Sequence, residues 1–206
     1  MSHLLARHLL AAGFCLLPLH VLHAQPAVKR TPLHTFFQQN YDSTIIYHSG
    51  SNWNNSPNYL ILAKHQGQLY FFTYTSPYRD ATGKYYPGRL TGKFAAQDQV
   101  FRATVPDTNR YLLPQPLRPV TLQRAWQQLR PGQLWRVQDD QQTPANTATC
   151  VVEDADDNIF YLIDRQTIRA ASFYAPDFYE QCLGKNPGRQ QAIKARTILQ
   201  ALTRSE

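Results

Sequence analysis

The sequence predicts an α+β fold: an antiparallel sheet built from two helix–strand–hairpin units and covered by C-terminal helices. Three observations predict it. Residues 59–75 and 149–164 each place two short runs of β-branched, aliphatic and aromatic residues around a polar turn, the pattern of a β-hairpin. A helical stripe precedes each hairpin, with Leu33, Phe36, Phe37 and Tyr41 in one case and Leu122, Ala125, Trp126 and Leu129 in the other. Sliding the first half by 89 positions lays Leu33 on Leu122, Ile45 on Leu134, Ile61 on Cys150 and Phe71 on Phe160 without a gap. An internal duplication leaves that register, and so do two similar units that arose separately. One continuous sheet and two small sheets side by side both satisfy the pattern.

The chain opens with one arginine and no acid in residues 1–8, followed by an apolar run over 9–19. That is the charge and length pattern of an export signal, with cleavage expected after Ala24, and the run is too short to span a bilayer. Residues 25–30 read as a flexible leader. The remaining 182 residues suffice for one ordinary domain or two small packed units, and carry a net charge of +6. Their charges are scattered with no like-charged run longer than two, so most belong to a solvated face. Polyanions such as nucleic acid, lipopolysaccharide or acidic glycans are one partner class. The expected location is secreted or periplasmic.

Thr31 and Pro32 read as N-cap and first helical position of a helix to residue 40. A strand over 43–48 follows, then a polar loop over 49–58 that contains Trp53, then the first hairpin. Both alternating faces of 69–74 are apolar or aromatic, so the second strand of that hairpin is expected inside the sheet. Residues 78–93 interleave Tyr78, Arg79, Lys84, Tyr85, Tyr86, Arg89 and Lys93 with glycine and proline, a surface excursion. A strand around Val100 and Phe101 is expected over 94–104 and closes the first unit, 31–104. Four prolines over 105–120 read as an extended connection.

The second unit, 121–206, starts with Thr121 capping a helix that Pro131-Gly132 stops. A strand over 133–137, a polar loop over 138–147 and the second hairpin follow. The chain then turns helical, with a short helix from Pro176 closed by Gly184 and a longer one opened by Asn186-Pro187.

Chemical motifs are sparse. Residues 88–93 fall one residue short of a phosphate loop, with Phe94 where a magnesium-binding hydroxyl would sit; Gly-x-Ser-x-Gly and His-Glu-x-x-His are absent. Asp154, Asp156 and Asn158 alternate like calcium ligands, but Ile159 replaces the required glycine and Arg165 the closing glutamate. His34, His48 and His65 are isolated from one another. Beyond the signal only Cys150 and Cys182 remain; in an exported chain they are expected to form a disulfide, two buried thiols being the alternative. Neither has a metal-ligand neighbour, so no metal and no cofactor are expected.

The leading reading is therefore a non-enzymatic exported protein that binds a protein or glycan partner in the cell envelope through aromatic loops. Trp53, Tyr78, Tyr85, Tyr86 and Arg89 are the candidate ligand-binding residues, since aromatic faces and cations stack on and neutralise a sugar or phosphate. The rival is an exported hydrolase with carboxylates drawn from Glu153, Asp164, Asp177 and Glu180.

Overall fold

Thr31 starts the first helix as expected. In the computed structural model, which describes residues 28–51, 55–78, 88–140 and 150–204, α1 (Pro32–Asn40) opens with a reciprocal capping box. The Thr31 hydroxyl accepts from the His34 N–H, and His34 Nδ1 accepts from the Thr31 N–H, each at 3.3 Å. The expected signal segment, 1–24, lies outside the described residues.

After α1 the chain enters β1 (Ser43–Gly50), followed by the hairpin β2 (Tyr59–His65) and β3 (Gln68–Tyr74). Gln66 and Gly67 both take positive φ, +48° and +83°, the geometry of a two-residue turn whose twist matches the strands it joins. β1 pairs with β2 on one side. On the other it pairs with β5 (Asp157–Asp164) over eight residues, from Ser43↔Asp164 to Gly50↔Asp157. β6 (Ile168–Tyr174) pairs with β5, and β4 (Leu112–Gln115) pairs with β3. The two halves of the chain thus share one six-stranded antiparallel sheet, ordered β4-β3-β2-β1-β5-β6. β3 is interior, as its two apolar faces required.

Four expected elements are corrected. Residues 94–104 are not a strand but most of α2 (Arg89–Ala103). Phe94 and Phe101 stand seven residues apart, two helical turns, with Gln97 between them on the same face, and the helix brings Phe101 against Tyr74 and Tyr111. The proline-rich connection contains strand β4, in which Pro114 is tolerated because the strand is at the sheet edge. α3 (Pro119–Leu129) is capped by Arg118 rather than Thr121, with Pro119 in the first turn. Residues 133–137 are not a strand: Arg130 takes a left-handed φ of +48°, Pro131 seeds the single turn α4 (Pro131–Leu134), and Leu134 reaches the core from it.

The second hairpin also moves. Cys150 to Val152 form no ladder, and β5 turns at Arg165-Gln166-Thr167 to pair with β6, a strand that the sequence pattern did not separate. Side-chain bonds hold the displaced segment instead: the Tyr174 hydroxyl donates to Val152 O and accepts from Ala155 N. At an offset of 89, Ile45 in β1 falls on Leu134 in a helix, and Ile61 in β2 on Cys150 outside any strand. The fold does not repeat as the register did.

Helices cover both faces. Ile45, Leu62, Phe71, Phe160 and Phe173 pack under α3 and under α6 (Pro187–Leu202), through Leu122, Leu129, Ala195 and Leu199. Ile46, Ile61, Ala63 and Tyr74 pack on the opposite face under α1 and α2, through Leu33, Phe37 and Phe101. Each fully buried side chain of this size contributes roughly 1.5–3 kcal/mol. α5 (Pro176–Cys182) ends at Gly184, φ +85°, and Asn186 caps α6 by accepting from the Arg189 N–H. Gly188, in the first turn of α6, lies so close to the segment after α4 that a Cβ there would stand 2.5 Å from the Gln138 carbonyl oxygen. Cys150 and Cys182 form a disulfide, with Cα atoms 6.1 Å apart, that ties α5 to the segment before β5. Among the described residues no helix is long and apolar enough to cross a membrane.

Candidate functional site

A two-residue turn fixes which main-chain groups of β3 look inward. His65 and Gln68 close it, so alternate residues Gln68, Tyr70, Phe72 and Tyr74 bond to β2, and Leu69, Phe71 and Thr73 point to the opposite side. β4 supplies partners there for Phe71, opposite Gln115, and Thr73, opposite Leu113. Pro114 falls opposite Phe72, a position that needs no N–H. Beyond Gln115 the chain leaves the sheet: the Leu117 N–H turns back onto Gln115 O at 2.9 Å, and Pro119 begins α3. The ladder stops one step short of Leu69.

The space left by that departure is a groove of about 540 Å³. Leu69, Tyr70, Phe72, Leu117 and Leu122 give it apolar and aromatic walls, and Gln68, Gln115 and Gln123 add amides. Its frame is ordered. The Gln115 amide donates to the Thr73 hydroxyl at 2.9 Å, and the Tyr70 hydroxyl donates to Gln68 Oε1 at 2.7 Å. Tyr70 is 36% exposed, enough to present a ring face to a ligand. Lys64, opposite Leu69 in the ladder, places its ammonium 6.0 Å from the centre of the Trp126 ring on α3. A second cavity, about 410 Å³, lies at the start of α6 between Gln133, Arg136, Gln138, Asn186 and Gln191.

With this geometry in place, comparison with protein-family models, curated proteins and solved structures finds no match to the chain. The site must be read from its own residues.

Of the residues expected to bind ligand, Trp53, Tyr85 and Tyr86 lie outside the described residues. Tyr78 is half-buried, its ring centre 5.3 Å from that of Phe94 on α2, and Arg89 is exposed at the start of that helix. Neither lines the groove. Tyr70, Gln115 and Gln123 escaped sequence reasoning because Gln115 and Gln123 sit in stretches read as connection and exposed helix face. Only the proline pair 114 and 116, which shortens β4, hinted at an open edge.

The carboxylates proposed for hydrolysis are each engaged in structure or exposed. Asp164 accepts from the Gln166 and Thr167 N–H groups at 2.8 and 2.7 Å and so shapes the β5–β6 turn. Asp177 makes a two-pronged pair with Arg196 at 2.6 and 2.8 Å, which holds its carboxyl below the usual range. Glu180 pairs with Arg189 at 3.4 Å, and Glu153 is exposed. In the acidic turn, Asp156 accepts from the Ser49 hydroxyl, while Asn158 is buried and accepts from the Tyr47 hydroxyl at 2.9 Å. No group of three or more potential metal ligands gathers among the described residues.

Among the histidines, His34 carries the sharpest electrostatic signature. Nδ1 accepts within the capping box, so the neutral ring's proton sits on Nε2, which is buried with no hydrogen-bond partner beside Tyr161, ring centres 4.4 Å apart. Burial pulls its pKa down from 6.5 to about 4. The unfolded chain therefore takes up a proton before the native one does. Stability is full above pH 6.5, falls as pH drops from 6.5 to about 4, and loses nothing more from this group below that. The gap is worth about 3 kcal/mol. His34→Gln keeps a capping-box acceptor without a titrating ring, so urea denaturation of this variant is expected to lack that share of the acid slope. Parallel losses in both proteins across this range would remove His34 from the account.

Proposed function

We propose that this chain is an exported, non-enzymatic binding protein that holds a glycan in the groove beside β3. The groove carries the reading: an aromatic ring, apolar walls and three glutamine amides converge on an open strand edge, the combination that stacks on a sugar face and bonds its hydroxyls. Leu69 offers one main-chain donor and acceptor to the same space. An extended peptide adding to a sheet uses a longer ladder than that, so the edge favours a glycan over a strand. The disulfide is chemistry of oxidising compartments, which supports export through the N-terminal signal.

Titration of the mature chain with soluble neutral and acidic oligosaccharides, followed by amide NMR, is expected to shift Leu69, Tyr70, Gln115 and Gln123. Tyr70→Ala is expected to weaken binding about five- to tenfold, the scale of one lost aromatic stack. Shifts confined to other parts of the surface would end the groove reading, and groove shifts produced by extended peptides but by no oligosaccharide would end the glycan reading.

A further inference from the structure

Residues 108–138 contain five arginines and no acid, and residues 181–204 contain five lysines and arginines and no acid. The two stretches are far apart in the chain, but they supply α3, α4 and α6, which pack on the same face of the sheet. Gln191 on α6 donates to Leu129 O at the end of α3 and joins the two helices directly. Carboxylates reach this layer from α5 and from the segment after α4, where Asp177 neutralises Arg196, and Glu180 with Asp140 neutralises Arg189. Arg118, Arg124, Arg130, Arg136, Lys194 and Arg204 are all exposed, and none forms an ion pair among the described residues. One outer surface of the molecule is therefore lined with uncompensated cations, while most of the acids gather in residues 139–180.

We infer that this surface binds the acid groups of a polyanionic glycan, a chain bearing carboxylates at regular intervals. The inference rests on the groove reading and adds the ligand's charge to it. Leu117, Pro119, Leu122 and Gln123 line the groove, and Arg118 and Arg124 stand next to them in sequence, so a chain leaving the groove runs onto α3. α3 is about 16 Å long, the reach of several sugar residues. Planar guanidinium groups pair two-pronged with carboxylates. Exposed Gln127 and Gln128 on the same helix offer amides to hydroxyls. An anionic membrane fits less well, since Val120 is the one large apolar side chain exposed on α3, too little to insert. Nucleic acid fits less well with a disulfide-bonded chain.

The test uses the mature chain with polygalacturonate as probe and dextran as its neutral counterpart. Arg118→Gln/Arg124→Gln is compared with Lys29→Gln/Lys93→Gln, which removes the same charge from exposed positions outside the α3–α6 layer, and with Tyr70→Ala. The inference expects the acidic polymer to bind at least about tenfold more tightly than dextran, the arginine variant to lose about tenfold or more, and the lysine variant to lose little. It also expects roughly tenfold weakening between about 50 and 200 mM salt. Equal losses in both charge variants would reduce the effect to net charge and overturn it. Equal binding of dextran with an indifferent arginine variant would overturn it too, and if Tyr70→Ala still abolished binding the groove reading would survive. Loss in the arginine variant with none in Tyr70→Ala supports the charged surface and sinks the groove. Tighter binding of single-stranded DNA or of vesicles rich in phosphatidylglycerol would replace the glycan by that partner.

Discussion

Arg189→Met is expected to cost about 3–5 kcal/mol of stability at neutral pH, the loss typical when one member of a buried ion cluster is removed and the others stay charged. Arg189 is 6% exposed. Its guanidinium reaches Glu180 Oε2 at 3.4 Å, Asp140 Oδ1 at 3.7 Å and the Gly184 carbonyl at 2.9 Å, so it joins α5, α6 and the loop beside β6. The carboxylates depend on it. Glu180 Oε1 and Asp140 Oδ2 are buried without a hydrogen-bond partner, and burial holds the Asp140 carboxyl above the usual range even with Arg189 beside it. Without the cation that shift grows, and because the native state then binds the proton more tightly, the variant's deficit is greatest at neutral pH and narrows as pH falls. Urea denaturation at pH 7 and pH 5 measures both effects. Adding Asp140→Asn and Glu180→Gln to Arg189→Met is expected to restore most of the loss. A triple variant as unstable as the single one would show that methionine fails through packing.

Removing the disulfide by Cys150→Ser/Cys182→Ser is expected to cost about 3.5–4 kcal/mol, because the bridge closes a loop of 32 residues in the unfolded chain. The loop holds β5, β6 and α5. β5 is paired on both sides and α5 is only seven residues long, too short to persist alone, so the loss falls first on α5. For a chain of this size the melting temperature is expected to drop by about 7–15 °C. Hydrogen exchange locates the change: protection is expected to fall in α5 while β1 and β5 keep theirs. An unchanged melting temperature in the double serine variant would mean that the cluster around Arg189 already fixes α5 without the bridge.

The elements read correctly from sequence are those whose cause is local. Thr31-Pro32 and Asn186-Pro187 set helix starts because a side-chain cap and a fixed proline φ act within one turn. Gln66-Gly67 set a hairpin because few residue pairs accept positive φ twice. The misread elements are short segments whose partners lie far away. Leu134 and Trp135 look like part of a strand, yet Arg130 turns left-handed and Pro131 seeds a helical turn there, which carries Leu134 to the core without a ladder. Cys150 to Val152 look like half a hairpin, but β5 finds β1 on one side and β6 on the other, and no ladder remains.

The candidate site was less legible than the fold. Gln115 and Tyr70 are 45 positions apart in the sequence and share a groove only because β4 ends early. The arginines of α3 seemed scattered because sequence distance hides that α3, α4 and α6 form one layer. By itself the sequence determined helix caps, turn geometry, the alternation that placed β3 inside a sheet, and a cysteine pair suited to a bridge, all properties of a few neighbouring residues or of composition. Tertiary structure alone decided that the two halves share one sheet through β1 and β5, that an edge opens beside Leu69, and that unpaired cations collect on one face. Each of those depends on contacts between residues tens of positions apart, whose burial and pairing no local propensity encodes.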